Sequence, residues 1–400
     1  GQKYLIQDEF IKKEIDTKNL GQLKYISEFA GFPVTKNNEI NYYSLGDDVY
    51  PVMLEELKKA KKFIFIEYFI INNGTMWQEI LDILKEKANS GLDVRVLYDD
   101  MGSFAMLPSN YPKLLGKYGI KCMQFNKLSP FAGIIMNNRD HRKILIIDGN
   151  VAFSGGINLA DEYINKKKKY GHWKDIGFKL MGTPVKSYNY MFIEFWNAFS
   201  NEKIDSNIIN ECLSERKNEN GYIISYYDSP AYKEHISNNL YIDLLSQAIN
   251  YAWFYTPYLI IGDFLMDALI KAAERGVDVR IFIPGIPDKK IVYRLSKSYY
   301  APLLKAGIKI FEYTPGFIHA KACLIDDNIG TIGTVNLDYR SLFLHFECNS
   351  LFYKSSILDE LKIDMIETQK KCKEVKEKDI KKGYFHRVFD AILRIFAPLC

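Results

Sequence analysis

Apolar and polar positions along the chain follow a pattern that occurs twice. Across residues 51–62 apolar side chains recur at helical spacing, and the run Phe63-Ile64-Phe65-Ile66-Glu67-Tyr68-Phe69-Ile70 then reads as a buried strand. A second helical pattern covers residues 77–89, Gly91 ends it, and residues 94–98 read as the next strand. The same order returns later: helix 241–250, strand 252–255, helix 264–275, a stop at Gly276 and strand 279–283. Gly119-Ile120-Lys121, after a short helical stretch, is answered by Gly307-Ile308-Lys309. Short apolar strands alternating with helices of this length describe βαβ units. The predicted fold is therefore α/β, built as two pseudo-symmetric halves, each a mostly parallel β-sheet flanked by helices. Residues 1–44 are expected to form an N-terminal segment, 45–219 the first half, 220–370 the second half and 371–400 a basic amphipathic tail.

Candidate chemistry lies in a second duplication. His141-Arg142-Lys143 with Asp148, and His319-Ala320-Lys321 with Asp326, both fit H-x-K-x4-D. On an extended strand residues i and i+2 face the same way, so each imidazole emerges beside an ammonium. Downstream, Ser154-Gly155-Gly156-Ile157-Asn158 and Gly333-Thr334-Val335-Asn336 supply small residues for a tight turn, with hydroxyl and amide donors for an anion. Packed about a pseudo-two-fold axis, the halves would bring two His, two Lys and two Asn to one shared central active site. Fixed cations and N–H donors around two imidazoles suit a phosphodiester. One His can attack phosphorus while the other protonates the leaving oxygen and then activates an incoming alcohol or water. Asp175 is expected to orient the imidazole of the first half and Glu347 that of the second. Asp148 and Asp326 complete the candidate catalytic set as anchors at strand ends, and Ser154, Asn158, Thr334 and Asn336 are the expected phosphate-binding and support residues. The scheme calls for no metal and no cofactor. His345, beside Phe346-Glu347, is a further candidate for contacts around the site.

The doubled H-x-K-x4-D resembles the signature of the phospholipase D superfamily, and the flanking residues make the chain similar to the bacterial cardiolipin synthases within it. These residues include Glu67-Tyr68-Phe69-Ile70, Gly155-Gly156-Ile157-Asn158-Leu159-Ala160, Trp173-Lys174-Asp175, Tyr255-Thr256-Pro257-Tyr258 and Gly333-Thr334-Val335-Asn336-Leu337-Asp338-Tyr339-Arg340-Ser341. The likeness runs from Leu45 to the C-terminus. It implies two phospholipase D-like halves and a phosphatidyltransferase. A phosphatidyl-histidine intermediate on His141, with His319 as acid and base, would pass to the glycerol hydroxyl of a second phosphatidylglycerol and give cardiolipin and glycerol. Hydrolysis of phospholipid, and less readily of nucleic acid, is the alternative, because the same histidine pair serves water.

Charge and composition narrow the partners. Fifty-three basic against 49 acidic side chains leave a net charge of only +4, which argues against nucleic acid. No stretch reaches the roughly 18 uncharged apolar residues of a membrane span. Many members of the resembled family begin with two transmembrane helices, so either an anchor precedes Gly1 or the chain is a shorter variant. The expected partners are phosphatidylglycerol and an anionic membrane surface, met peripherally at the cytoplasmic face of the cell membrane. Three features are candidates for that contact: Lys166-Lys167-Lys168-Lys169, an apolar lip at residues 129–136, and the tail, where Phe385, Val388, Phe389, Ile392, Leu393 and Phe396 lie at helical spacing. Each has a plainer alternative: a solvated loop, a core segment and a helix docked on the domain. Six scattered cysteines without a C-x-x-C pair read as reduced thiols.

Overall fold

In the computed structural model of the chain the described residues are 8–17, 20–36, 38–128, 137–209, 221–380 and 393–394. The first half contributes strands β1 (Asn38–Tyr43), β2 (Phe63–Tyr68), β3 (Asp93–Asp99), β4 (Lys121–Phe125), β5 (Lys143–Ile147), β6 (Val151–Gly155), β7 (His172–Lys174) and β8 (Gly177–Gly182). The second contributes β9 (Tyr222–Asp228), β10 (Tyr251–Tyr255), β11 (Leu259–Ile260), β12 (Asp278–Pro284), β13 (Lys309–Tyr313), β14 (Gly316–Ile318), β15 (Ala322–Ile325), β16 (Ile329–Gly333), β17 (Leu337–Asp338), β18 (Glu347–Tyr353) and β19 (Cys372–Glu374). One sheet runs β1-β8-β6-β5-β2-β3-β4, the other β19-β13-β12-β10-β15-β16-β18-β9. Strand for strand the second repeats the first, with β19 added at its edge.

The repeated apolar pattern explains the core of each sheet. β2 is buried on both faces, and the helix Thr75–Asn89 covers it with Met76, Trp77, Ile80 and Leu84. That helix and its counterpart Asp263–Glu274 each end two residues before a glycine, Gly91 at φ +89° and Gly276 at φ +93°, a left-handed conformation that costs a β-carbon dearly. The α/β class and the two halves are as expected. Within each large sheet the parallel pairing is confined to the three strands that helices connect, β2-β3-β4 and β10-β12-β13, and the remaining strands pair antiparallel, so each is mixed.

The sheets also reach past the expected half boundaries. β1 lies within residues 1–44 yet pairs with β8, and β19 lies within 371–400 yet pairs with β13. Earlier residues pack on the second half instead, where Thr35 exchanges backbone hydrogen bonds with Ile223 and Tyr25 bonds Glu234. The boundary at 219/220 and the lip at 129–136 fall outside the described residues. So does the amphipathic stretch 385–396 of the tail apart from Leu393 and Arg394, and Arg394 docks over the Tyr299 ring at 4.7 Å.

A single apolar core joins the halves. The helix Val185–Phe199 is buried on nearly all sides and packs on β5, β6 and β8 of one sheet and β9 of the other. Phe192 stacks on Phe65 at 4.7 Å, and Phe178 meets Phe352 across the interface at 5.6 Å. Polar contacts fasten the same interface. Lys174 of the first half is 3% exposed and bonds both carboxylate oxygens of Asp364 at 2.8 Å, on the second-half helix Ile357–Gln369. Tyr42 and Tyr255 bond the same carboxylate. Truncation at Asp364 would strand a buried ammonium, a change that costs about 3 to 5 kcal/mol. Asp364→Ala is therefore expected to lower the midpoint of thermal unfolding by many degrees, whereas Asp359→Ala on the exposed face of the same helix should leave it nearly unchanged; equal midpoints for both variants would discount the Lys174 clamp.

Candidate active site

Short approach segments precede the two H-x-K strands, and each pairs in parallel with a segment of the opposite half. β14 lies against β7, aligning Ile318 with Lys174, and Asp140 bridges Phe346 in the same sense. The His319 backbone N–H donates to the Lys174 carbonyl at 2.7 Å, and that of His141 to the Phe346 carbonyl at 2.9 Å. The residue after each acceptor is a carboxylate. The pairing therefore delivers Glu347 to His141, with Nδ1 at 2.9 and 3.0 Å from its two oxygens, and Asp175 to His319, with Nδ1 at 2.6 Å from Oδ2. This corrects the expected assignment, which placed each carboxylate with the histidine of its own half. Within a half the two residues lie at the starts of strands separated by an intervening one, β5 and β8 or β15 and β18, roughly 10 Å across the sheet, too far for a hydrogen bond.

Both carboxylates are buried, and burial alone would raise their pKa, but the facing imidazoles and hydrogen bonds outweigh it and hold Glu347 and Asp175 below the ordinary carboxylate range. Burial also dominates at the histidines. His141 is pushed well below its usual value, and His319, burdened next by the Lys321 charge, falls to about 4. Each Nδ1 thus serves as a donor to a carboxylate while Nε2 stays free to react.

Lys143 and Lys321 fold back beneath their own histidines. Lys143 Nζ donates to the His141 carbonyl oxygen at 2.5 Å; Lys321 Nζ donates to that of His319 and lies 2.7 Å from His319 Nδ1. Burial lowers Lys143 to about 8 and Lys321 to about 7, and the Lys143 charge adds to the depression of both Lys321 and His319. The two motifs therefore converge. His141 and His319 line one cavity of 380 Å³ together with Asn158, Asn336, Tyr163, Trp173 and His345.

The other candidates divide. Asn158 and Asn336 reach the cavity, but Asn158 is already engaged, accepting from the Ile70 N–H and donating to Tyr163. Asn336 donates to Asp338 and keeps its buried oxygen unpartnered. Ser154 and Thr334 do not line the cavity: Ser154 donates to the Lys143 carbonyl, and Thr334 Oγ1 contacts Glu347 Oε2 at 2.5 Å. They brace the strand and the carboxylate. Asp148 and Asp326 lie at the far strand ends, in the left-handed conformation at φ 52° and 50°. Each accepts three backbone N–H bonds, from Lys61, Lys62 and Phe63 and from Ile249, Asn250 and Tyr251. They are anchors outside the cavity.

Sequence reasoning missed a charged network under the first motif. Arg142, between His141 and Lys143, points the other way and is 1% exposed, held by Glu67 at 2.6 Å and Asp140 at 3.0 Å and stacked 4.0 Å over Phe195. The available signal was Glu67 itself, a lone carboxylate in an otherwise apolar strand, which demands a buried cation.

Comparison with known proteins follows the same outline. A family model described as "Cardiolipin synthase, PLD-like domain" matches residues 53–170 and 241–367, one H-x-K stretch in each. An uncharacterized protein of Streptococcus mutans is 44% identical over 97% of this chain and 84% of its own. A cardiolipin synthase of Alkalihalophilus pseudofirmus is 34% identical over 92% of this chain and 73% of its own. Among solved structures, a phosphatidylserine synthase of Haemophilus influenzae superposes with a TM-score of 0.69 at 15% identity, covering 96% of this chain and 98% of that one, a likeness of fold.

The exchanged carboxylates give two expectations. In ¹⁵N NMR of the imidazoles, Glu347→Gln should move the His141 resonances and Asp175→Asn those of His319; the reverse pattern would refute the exchange. Because His319 sits at about 4 in the folded chain against an ordinary 6.5, the unfolded chain binds its proton first as pH falls. Stability should therefore drop between about pH 6.5 and 4, and His319→Asn should lose less between pH 7 and pH 5 than the unaltered protein, as read by thermal unfolding.

Proposed function

The chain belongs to the cardiolipin synthase family of phospholipase D-like proteins, and on that premise we propose that it joins two phosphatidylglycerol molecules into cardiolipin and glycerol through a phosphatidyl-histidine intermediate. It is a phosphatidyltransferase of that family and acts on phospholipid. One observation carries the finer reading: two buried imidazoles line a single cavity, each with Nδ1 committed to an ionised carboxylate.

In the first step the His141 Nε2 lone pair forms a bond to phosphorus as the bond from phosphorus to the glycerol oxygen breaks, and His319 gives that oxygen a proton. His141 suits the nucleophile because burial keeps it neutral, and Glu347 steadies the positive charge it acquires. His319 must arrive protonated. An entering phosphodiester anion offsets Lys321 and raises the proton affinity of the imidazole, so acid and substrate assemble together. In the second step the hydroxyl of the other phosphatidylglycerol passes its proton to His319 and attacks phosphorus, and the nitrogen–phosphorus bond breaks. Lys143 and Lys321 supply the fixed positive charge around the pentacoordinate state. Water in place of the hydroxyl would give phosphatidic acid, the hydrolytic alternative.

The cavity rim supports a lipid surface as the place of work. Met106, Lys169, Lys289 and Val292 line it, and beside them Phe104 is 63% exposed and Ile291 67%. Lys166 to Lys168, preceding Lys169 in the chain, and Lys290, following Lys289, are exposed. Apolar tips among lysines fit an anionic leaflet, and no helix among the described residues is long and apolar enough to cross a membrane. We place the contact peripherally, on the cytoplasmic side.

Incubation with phosphatidylglycerol vesicles should yield cardiolipin and glycerol; phosphatidic acid as the main product would favour hydrolysis. His141→Ala is expected to abolish the covalent phosphatidyl adduct, while His319→Ala lets it form slowly and persist. An adduct in the His141 variant and none in the His319 variant would reverse the roles. For the rim, the paired change Phe104→Ser and Ile291→Ser should weaken vesicle binding about tenfold or more, since burying one such side chain is worth about 1.5 to 3 kcal/mol. Unchanged sedimentation with vesicles would remove this face from the membrane contact.

A further inference from the structure

We infer that a divalent d-block cation of the Zn²⁺ kind binds between His141, His345 and Glu347 and holds the enzyme inactive. The ligand atoms of these three residues all lie within 4.8 Å of one another. Glu347 Oε1 is 2.9 Å from His141 Nδ1 and 3.6 Å from His345 Nδ1. Donors placed about 2.1 Å from a tetrahedral ion stand about 3.4 Å apart, so both separations need only small side-chain shifts.

His345 supplies the independent observation. Its side chain is 10% exposed, it lines the cavity, and neither ring nitrogen has a hydrogen-bond partner. Glu347 Oε1 stands 3.6 Å from its Nδ1, beyond an ordinary hydrogen bond, and a metal ion between the two would satisfy that nitrogen. Among the described residues, the reacting histidines each have a carboxylate. The opposite half makes the contrast sharper. Trp173 occupies the place equivalent to His345, two residues before Asp175, with its ring 5.4 Å from that of His319, where the His345 ring lies 5.7 Å from that of His141. An indole has no lone pair to offer, so one metal per chain is expected, at the His141 side.

The ligand set fits the ion. Glu347 and His141 are buried, and the Lys143 ammonium is turned to the His141 carbonyl oxygen. Two imidazoles and one carboxylate, with a fourth position open to the cavity, suit Zn²⁺ or Co²⁺ and not Mg²⁺. On binding, the His141 Nδ1 proton leaves to solvent, the nitrogen lone pair and Glu347 turn to the ion, and the imidazole loses the electron density and the orientation that Nε2 needs. The binding rests on geometry alone; the inhibition also rests on the proposed transfer reaction.

Co²⁺ titration of the full chain tests the binding. One equivalent should produce the strong visible absorption of tetrahedral Co²⁺, displaced by Zn²⁺ and unaffected by excess Mg²⁺, and His345→Asn should weaken it at least tenfold. Weak octahedral bands in the unaltered protein, or equal affinity in the variant, would overturn the site whether or not the chain makes cardiolipin. With phosphatidylglycerol vesicles, Zn²⁺ should suppress turnover in proportion to occupancy, each protein being compared with itself without metal. A variant as sensitive as the unaltered chain would overturn inhibition through this site, whereas an enzyme that binds Co²⁺ at His345 yet forms no cardiolipin would leave the site standing and count against the transfer reaction alone.

Discussion

The histidine of each motif is held by a carboxylate from the other half of the molecule, and most of the architecture serves that exchange. It requires two strand pairings across the interface, β14 with β7 and Asp140 with Phe346, and these in turn require the sheets to meet at one register. The helix Val185–Phe199 supplies the apolar core that holds the sheets together, and the buried Lys174–Asp364 pair fixes the segment that carries Asp175. Neither half contains a complete orienting pair. The candidate site is the interface itself, where the polar contacts are buried and charged despite the desolvation this costs.

Desolvation also sets the chemistry. A site crowded with two ammonium groups, two imidazoles and two carboxylates would titrate ordinarily in water. Buried, the carboxylates stay ionised, the imidazoles are driven neutral and the lysines fall to about 8 and 7. In the proposed reaction, a phosphodiester entering such a cavity would bring negative charge beside the two ammonium groups.

The pseudo-symmetry is broken where the carboxylates differ in length. Asp175 is short and must sit close to its strand; a β-carbon at Gly156 would come within 2.1 Å of Asp175 Oδ1. The matching position in the other half is Thr334, whose hydroxyl contacts the longer Glu347. Arg142 in the first motif is likewise matched by the small Ala320 in the second, so the buried Glu67–Arg142–Asp140 network has no twin there. Two copies of one unit have thereby become two environments, one for each histidine.

Much of this was legible in the chain. The apolar periodicity marked the helices and the strands they connect, Gly91 and Gly276 marked their ends, and the doubled H-x-K-x4-D located both histidines and both lysines, because these depend on local backbone geometry and on side-chain chemistry at fixed spacing. The anchoring role of Asp148 and Asp326 follows for the same reason, a short carboxylate at a strand turn meeting nearby N–H groups. The carboxylate partners, the mixed sheets, the bracing roles of Ser154 and Thr334 and the unpartnered His345 did not follow. Sequence spacing places Asp175 and Glu347 each in the half of one motif, but a hydrogen bond is decided over 3 Å, and only the packing of one half against the other determines which imidazole lies within that distance.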